Sequence, residues 1–564
     1  MIKVEQFYKE IFNIYSPFDH QINLWKRIHA KNFPLLLKAP TGSGKTEAVL
    51  APFLSQFVEN KFNIAPRMIY VLPMRVLVNS VADRIRQYAE RVSPGISVEV
   101  QHGDVPNSPF FIADIVVTTL DQFLYGFARA SGQVGRHLDI PAGSIASSIV
   151  VFDEAHMYRD SFTFSIMRAL MEILQKSHIP FIVMTATMPE TLEKSLFENI
   201  PLNNNQKIVS DITISSQLEI SLAESPLFSN NNINFPDKLL DKIKQKKTLI
   251  VLNQVKRAQK VYDEIKSMLD LTDNQIVLLH SRFTKVDRES HEKKALSLIP
   301  HKENGKIVIP EGVGIVVSTQ VLEAGIDFSA ELLITELAPA DSIIQRAGRC
   351  ARYENESGEM IIFPVEEENR GHLPYEKEHL SKTLKWLQNN KQFNIKNFSQ
   401  VCSFVDETLD YQASDYEARD TLIDLYECVL YADTEPTNIQ LRKNKPVTLV
   451  VLDIPEGSSE RVRKKIEEII SQAKTPIIKK KSIDIDIDVA WKLFKDENRP
   501  IQWEMQWRYN PKEKSIKLSV INLFKNKKKP DKEDTRIGPF RTYIISNKYY
   551  KQDKGIERDV SAII

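Results

Sequence analysis

Short apolar runs, each closed by a polar turn and followed by a helical stretch, recur through the first two thirds of the chain. No other feature limits the fold as tightly. Leu35-Leu36-Leu37 leads into a glycine-rich turn, and Met68 to Leu72 leads into Pro73. Ile115-Val116-Val117 precedes Thr118-Thr119, Ile149 to Phe152 precedes Asp153, and Phe181 to Met184 precedes Thr185. Runs that are apolar throughout suit strands buried on both faces, as in a parallel sheet covered by helices. After the Asn-rich stretch Asn230 to Asn234 the pattern restarts with Leu249 to Leu252, Val277 to Leu279 and Ile315 to Val317. Lys302 to Pro310 interrupts it as a surface hairpin or loop. Past about Pro364 the rhythm stops: 374–430 reads as mainly helical, and from about Lys445 short alternating strands mix with lysine-rich turns. The expected class is α/β, with two tandem parallel-sheet domains, a helical linker and a small α+β domain.

A chain of 564 residues exceeds one hydrophobic core, so three or four domains are expected. Its 75 basic and 74 acidic residues leave a net charge of +1, which excludes a histone-like polycation but not a local basic groove. The three cysteines, Cys350, Cys402 and Cys428, form no CxxC pair, which argues against structural zinc or an iron–sulfur cluster and suits a reducing cytoplasm. No apolar run approaches the roughly 20 residues that span a bilayer, so a cytoplasmic protein without membrane association is expected.

Three of the turns carry chemistry. Ala39-Pro-Thr41-Gly42-Ser43-Gly44-Lys45-Thr46 lies between a strand and a helix and keeps all but the first glycine of a phosphate-binding loop. Gly42 and Gly44 let backbone N–H groups wrap phosphates of ATP, Lys45 neutralises the β- and γ-phosphates, and Thr46 offers a ligand to Mg²⁺. Asp153-Glu154-Ala155-His156 ends a buried strand. There Asp153 suits Mg²⁺ and Glu154 suits the water that attacks phosphorus. Gln345-Arg346-Ala347-Gly348-Arg349-Cys350-Ala351-Arg352 places Arg349 and Arg352 one helical turn apart, a spacing that lets both grip phosphate from one face. Taken alone, that segment reads better as a surface basic helix.

In this order the motifs resemble those of superfamily 2 DExH-type helicases, over roughly the first 355 residues. The resemblance implies two RecA-like domains (1–208 and 209–365), a helical linker (366–440) and an accessory domain (441–564), with ATP hydrolysed between the first two. Phe18 and Gln21 resemble the adenine-reading motif. Pro73-Met-Arg75 and Thr118-Thr119 resemble motifs that touch a nucleic-acid backbone, and Thr185-Ala-Thr187 one that links hydrolysis to strand movement. Ser318-Thr319 through Asp327 is similar to a motif with Thr319 facing the strand and Asp327 near the nucleotide. The wording of Leu279-His-Ser-Arg282-Phe283, Glu323-Ala-Gly-Ile-Asp327, Leu337-Ala-Pro and Gln345 to Arg352 resembles the CRISPR-associated helicase of type I interference, as does Tyr543 to Ile556 more faintly.

That family implies a 3′ to 5′ track on single-stranded DNA, with backbone contacts from Arg75, Thr118, Thr119, Arg282 and Thr319, and recruitment by an RNA-guided surveillance complex. It usually carries an HD-type metal nuclease ahead of the motor. Only about 30 residues precede the phosphate loop here and no His-Asp dipeptide occurs, so the expectation is a helicase subunit served by a separately encoded HD nuclease. The rival readings are an RNA or DNA-repair helicase outside CRISPR defence, and a non-hydrolysing adaptor, which the intact Lys45, Glu154 and Arg349–Arg352 set disfavours.

Other features read as structural. The Lys479–Lys481 and Lys525–Lys529 clusters suit solvated loops. Asp484, Asp486 and Asp488 suit the polar face of a strand. Trp503, Met505 and Trp507 suit a core. His102 beside Gly103 reads equally as a loop histidine or as a neighbour of the nucleic-acid groove.

Overall fold

The computed structural model describes residues 3–556 apart from 104, 132, 159–160, 211, 213–214, 230–231, 304–305, 324–326, 367–369, 410–418, 421, 425–426, 428–445, 456–458, 473–474, 497, 511–514, 525–535 and 539–540. It forms two compact units, Met1–Ser215 with Gln392–Lys443, and Ser216–Lys391 with Asn444–Ile564.

The apolar runs of the first unit become one eight-stranded sheet. In spatial order its strands are Val105–Pro106, Val98–His102, Ile115–Thr119, Arg67–Leu72, Ser148–Phe152, Phe181–Thr185, Leu35–Lys38 and Lys207–Val209. All pairings are parallel except that of the Val105–Pro106 edge. The central strands are buried along their whole length because helices cover both faces. Leu36, Ile69, Val71, Val116 and Val150 pack on one side, and Leu35, Leu37, Met68, Tyr70 and Val151 on the other. Since the strands run the same way, every turn that follows a carboxyl end lies along one edge. Lys38 is level with Thr185, Leu72 with Thr119 and Val71 with Phe152. Open parallel sheets bind ligands at that edge.

The second unit repeats the construction with six parallel strands: Ile276–Leu279, Ile315–Ser318, Thr248–Val251, Leu332–Glu336, Ser357–Phe363 and Gln217–Leu222. It also holds a mixed five-stranded sheet, in the order Ser482–Asp486, Pro446–Leu452, Thr542–Ser546, Ile501–Asn510 and Ser515–Asn522. The 366–440 segment is divided: the Lys377–Asn389 helix lies in the second unit and the Phe398–Thr408 helix in the first. Lys302–Pro310 contains an antiparallel hairpin, His301–Glu303 with Lys306–Val308. Trp503 and Met505 are core residues, while the Trp507 side chain and Lys525–Lys529 lie outside the described residues. Two readings are corrected. The acidic alternation ends at Asp486, which caps the Ile487–Lys495 helix by accepting the Asp488 N–H, so Asp488 is helical. Lys479 and Lys480 sit in the last turn of the Thr475–Lys480 helix, where positive charge complements exposed carbonyls. No helix among the described residues is long and apolar enough to cross a membrane.

The chain's last described segment is fastened to the second parallel sheet. His280 is fully buried and stacks on Phe283, with ring centroids 4.3 Å apart. Its Nε2 lies 3.0 Å from the Lys554 carbonyl, and its Nδ1 accepts the Arg282 N–H at 3.2 Å. Gly555 has φ +69°, and a Cβ there would stand 2.8 Å from the His280 ring. Tyr550 donates to Asp287 at 2.5 Å. Burial, aided by the nearby Arg282 charge, pushes the His280 pKa down to about 3. The ring is therefore neutral when folded, whereas the unfolded chain takes up a proton near pH 6.5. The full contribution of His280 to stability is therefore present above pH 6.5 and is lost progressively as pH falls toward 3. Denaturant midpoints measured between pH 7.5 and 5 are expected to fall, and to fall less in His280→Gln.

Candidate nucleotide site

Thr41 to Gly44 form the turn between Leu35–Lys38 and the Lys45–Glu59 helix. Gly42 and Gly44 adopt φ +84° and +75°, left-handed values that aim successive N–H groups into the turn. Lys45 is buried, and its Nζ donates to the carbonyls of Ala39 at 3.1 Å and Pro40 at 3.2 Å. Ser43 closes the turn on Pro40 O at 2.8 Å. The Gln21 amide is fully buried: it accepts the Phe18 N–H at 2.9 Å and donates to Gly44 O at 3.1 Å. A Cβ on Gly44 would overlap that amide. Phe18 is 40% exposed and stacks on His20, which bonds Ser43 O at 3.1 Å. An exposed ring is thus fixed beside the loop.

Asp153 and Glu154 follow Ser148–Phe152. Asp153 Oδ1 accepts the Glu154 N–H at 2.8 Å, and Oδ2 accepts the Tyr70 hydroxyl at 2.6 Å. Burial, then the adjacent Glu154 charge, raises the Asp153 pKa to about 6, while Lys45 and the Tyr70 bond oppose the rise. Glu154 has φ +52°, an uncommon conformation for a residue with a side chain. Its carboxylate stands 3.5 Å from His156 Nδ1, which is also 3.1 Å from Thr185 Oγ1. His156 therefore ties the acidic turn to the Thr185–Thr187 turn.

Lys45, Thr46, Asp153 and Glu154 are brought together at one sheet edge. A hard cation is held by oxygen donors, and Thr46 Oγ1 and Asp153 Oδ2 both reach the Tyr70 hydroxyl, at 3.4 and 2.6 Å. That donor set fits Mg²⁺.

The expected nucleic-acid residues are treated differently by the fold. Arg75 is exposed at the start of the Arg75–Val92 helix, with its guanidinium over Gly103, where a Cβ would be 3.2 Å from Nη2. His102 is buried and bonds Asn79 of that helix at 3.0 Å, so it is a strut. Thr118, Thr119, Arg282 and Thr319 are buried. The Thr118 hydroxyl donates to Gln101 O at 2.7 Å, and that of Thr319 has no partner among the described residues.

The arginine motif needs a correction. Its helix, Ala340–Ala347, stops before Arg349, because Gly348 caps it and Ala351 turns to φ +45°. Arg349 and Arg352 therefore do not share a helical face. Arg349 is buried and donates to the carbonyls of Leu322 and Glu323, each at 2.9 Å. Arg352 pairs with Asp327 at 2.8 Å, and Gln345 is half-buried in the helix. Arg346, which spacing had not singled out, is the largest fully buried side chain among the described residues. It pairs with Glu323 at 2.9 Å and bonds Thr335, Glu336 O, Asn253 and Tyr375. Tyr70 and Arg84 also escaped notice, the first inside an apolar run and the second on a helix 38 residues from its partner Thr46.

Residues 18–195 match the DEAD/DEAH box helicase family, and residues 244–355 match the family described as CRISPR-associated nuclease/helicase Cas3, C-terminal. The chain carries DEAD/DEAH helicase and Cas3-like C-terminal domains and resembles the superfamily 2 helicases. Its curated relatives include the CRISPR-associated helicase Cas3 of Thermoproteus tenax, 27% identical over 76% of this chain and 73% of that protein. A putative CRISPR-associated nuclease/helicase Cas3 of Methanocaldococcus jannaschii is 27% identical over 72% of this chain and 56% of that protein. Among solved structures, T. fusca Cas3 with AMPPNP superposes with a TM-score of 0.63 at 17% identity, covering 96% of this chain and 68% of that one. The fold is thus that of two RecA-like parallel-sheet domains with the further elements described above.

Proposed function

We propose that this helicase is an ATP-driven translocase on single-stranded DNA that works in type I CRISPR interference. In this reading it is recruited by an RNA-guided surveillance complex and unwinds target DNA for a separately encoded HD nuclease. The observation that carries the ATPase reading is the meeting of Lys45, Thr46, Asp153 and Glu154 at one carboxyl edge. The CRISPR reading rests on the Cas3-like wording of the second unit. The nuclease assignment rests on the missing His-Asp dipeptide.

In the chemistry we propose, Lys45 leaves the Ala39 and Pro40 carbonyls for the β- and γ-phosphates while loop N–H groups hold the remaining oxygens. Thr46 and Asp153 would hold Mg²⁺, whose charge would offset that developing on the transferred phosphoryl group. Glu154 orients the attacking water and accepts its proton. His156 passes a change at Glu154 to Thr185, and so to the turn reading hydrolysis. Arg75 contacts phosphate, which gives affinity without sequence choice.

Steady-state ATP hydrolysis without nucleic acid, with single-stranded DNA and with single-stranded RNA tests this. Stimulation by DNA alone is the expected result. Equal or stronger stimulation by RNA would leave the motor intact and remove the interference role. Nuclease assays of the purified chain under the same conditions are expected to show no cleavage; cleavage would end the two-subunit reading.

A further inference from the structure

The nucleotide site contains a cation and a phenol that the phosphate-loop and acidic motifs leave unexplained. Arg84 lies in the third turn of the Arg75–Val92 helix, and its Nη2 donates to Thr46 Oγ1 at 2.6 Å. Its Nε stands 4.0 Å from Glu47, whose carboxylate accepts the Tyr88 hydroxyl at 2.9 Å. Tyr70 is fully buried and touches both Thr46 and Asp153. The contacts form one chain from guanidinium to hydroxyl to phenol to carboxylate.

The geometry points to Tyr70 and Arg84 as positioning residues that set the metal requirement of this site, Tyr70 fixing Asp153 for the ion and Arg84 holding Thr46 in the ion's absence. The inference rests on the reading of Thr46 and Asp153 as the metal's protein contacts. Magnesium sits about 2.0–2.1 Å from its oxygen ligands and tolerates little distortion. A guanidinium on the same hydroxyl would place a second cation against it, so the two compete for Thr46. With 44% of its side chain exposed, Arg84 has solvent to swing into. Tyr70 has none, and its bond holds one carboxylate oxygen of Asp153 in place, as outer partners do for metal ligands generally.

The two residues therefore act in opposite directions. Binding of mant-AMPPNP to the full chain is titrated with Mg²⁺, and again in EDTA, for wild type, Tyr70→Phe and Arg84→Met. Tyr70→Phe is expected to raise the half-saturating Mg²⁺ about 10–100-fold. Arg84→Met is expected to lower it about ten-fold, the scale of one charge-assisted hydrogen bond. Thermal melts establish that each variant is folded, and Arg84→Lys, which keeps the charge, is expected to fall nearer wild type. Unchanged Mg²⁺ dependence in both variants, or a rise in both, overturns the proposal, because a merely structural Arg84 would weaken the site like Tyr70. Failure of wild type to bind nucleotide at any Mg²⁺ concentration instead removes the nucleotide-site reading beneath it.

Discussion

Glu154→Gln is expected to lower the rate of ATP hydrolysis about 10²–10⁴-fold, the usual worth of a positioned general base, while leaving nucleotide affinity nearly intact. The change is isosteric and keeps the side chain on its left-handed backbone, where φ is +52°. It removes the basic oxygen and the charge beside His156 Nδ1, 3.5 Å away. It also removes the neighbouring charge that raises the Asp153 pKa, so binding of the metal–nucleotide pair has no reason to weaken. Lys45→Ala is expected to differ in kind. Loss of the ammonium proposed to neutralise the β- and γ-phosphates is expected to impair binding as well as hydrolysis. Single-turnover hydrolysis set beside fluorescent-nucleotide affinity separates the two. A Glu154→Gln protein that retained more than a tenth of the wild-type rate would mean that the water is activated elsewhere.

Arg346→Met is expected to destabilise the second unit by about 3–5 kcal/mol, the cost of removing one partner of a buried ion pair. Only 1% of the Arg346 side chain and 8% of the Glu323 side chain are exposed, so the carboxylate left behind has little water to turn to. The guanidinium also binds the Thr335 hydroxyl at 2.8 Å, Glu336 O at 3.1 Å and Asn253 Oδ1 at 3.1 Å. It thereby ties its helix to the carboxyl ends of Leu332–Glu336 and Thr248–Val251. Arg346→Lys keeps the charge but cannot reproduce a planar fork with five partners, so most of the loss is expected to remain. Urea unfolding followed by circular dichroism gives the number. If Arg346→Met unfolded within 1 kcal/mol of wild type, as ~1 kcal/mol is the ceiling for surface pairs, this network would be worth no more than a surface one.

Arg346 and its neighbours mark the limit of what local sequence specifies. Spacing of three made Arg349 and Arg352 seem alike, yet the helix closes at Gly348 and the two meet different partners. A helical period extends only as far as the helix, which here ends at Gly348. Arg346 looked like one more basic residue in a basic segment. Its burial is set by Glu323, Asn253 and Tyr375, which approach from 23, 93 and 29 residues away. His102 is similar: beside Gly103 it read equally as a loop residue or as a neighbour of the nucleic-acid groove, but Asn79 holds it in the wall of the sheet.

The sequence by itself determined the parallel α/β construction. A run that is apolar at every position can be buried only on both faces, and parallel strands then deliver their following turns to one edge. It also singled out Lys45, Thr46, Asp153 and Glu154 as the proposed chemical set, because glycine-forced loop geometry and acids at a strand end are local properties. Only the tertiary structure decided which side chains stand behind that set. Tyr70 reaches Asp153 across 83 residues and Arg84 reaches Thr46 across 38; Lys554 reaches His280 across 274. No local pattern encodes such pairs, since each arises where two separately specified elements are pressed together by burial of their apolar faces.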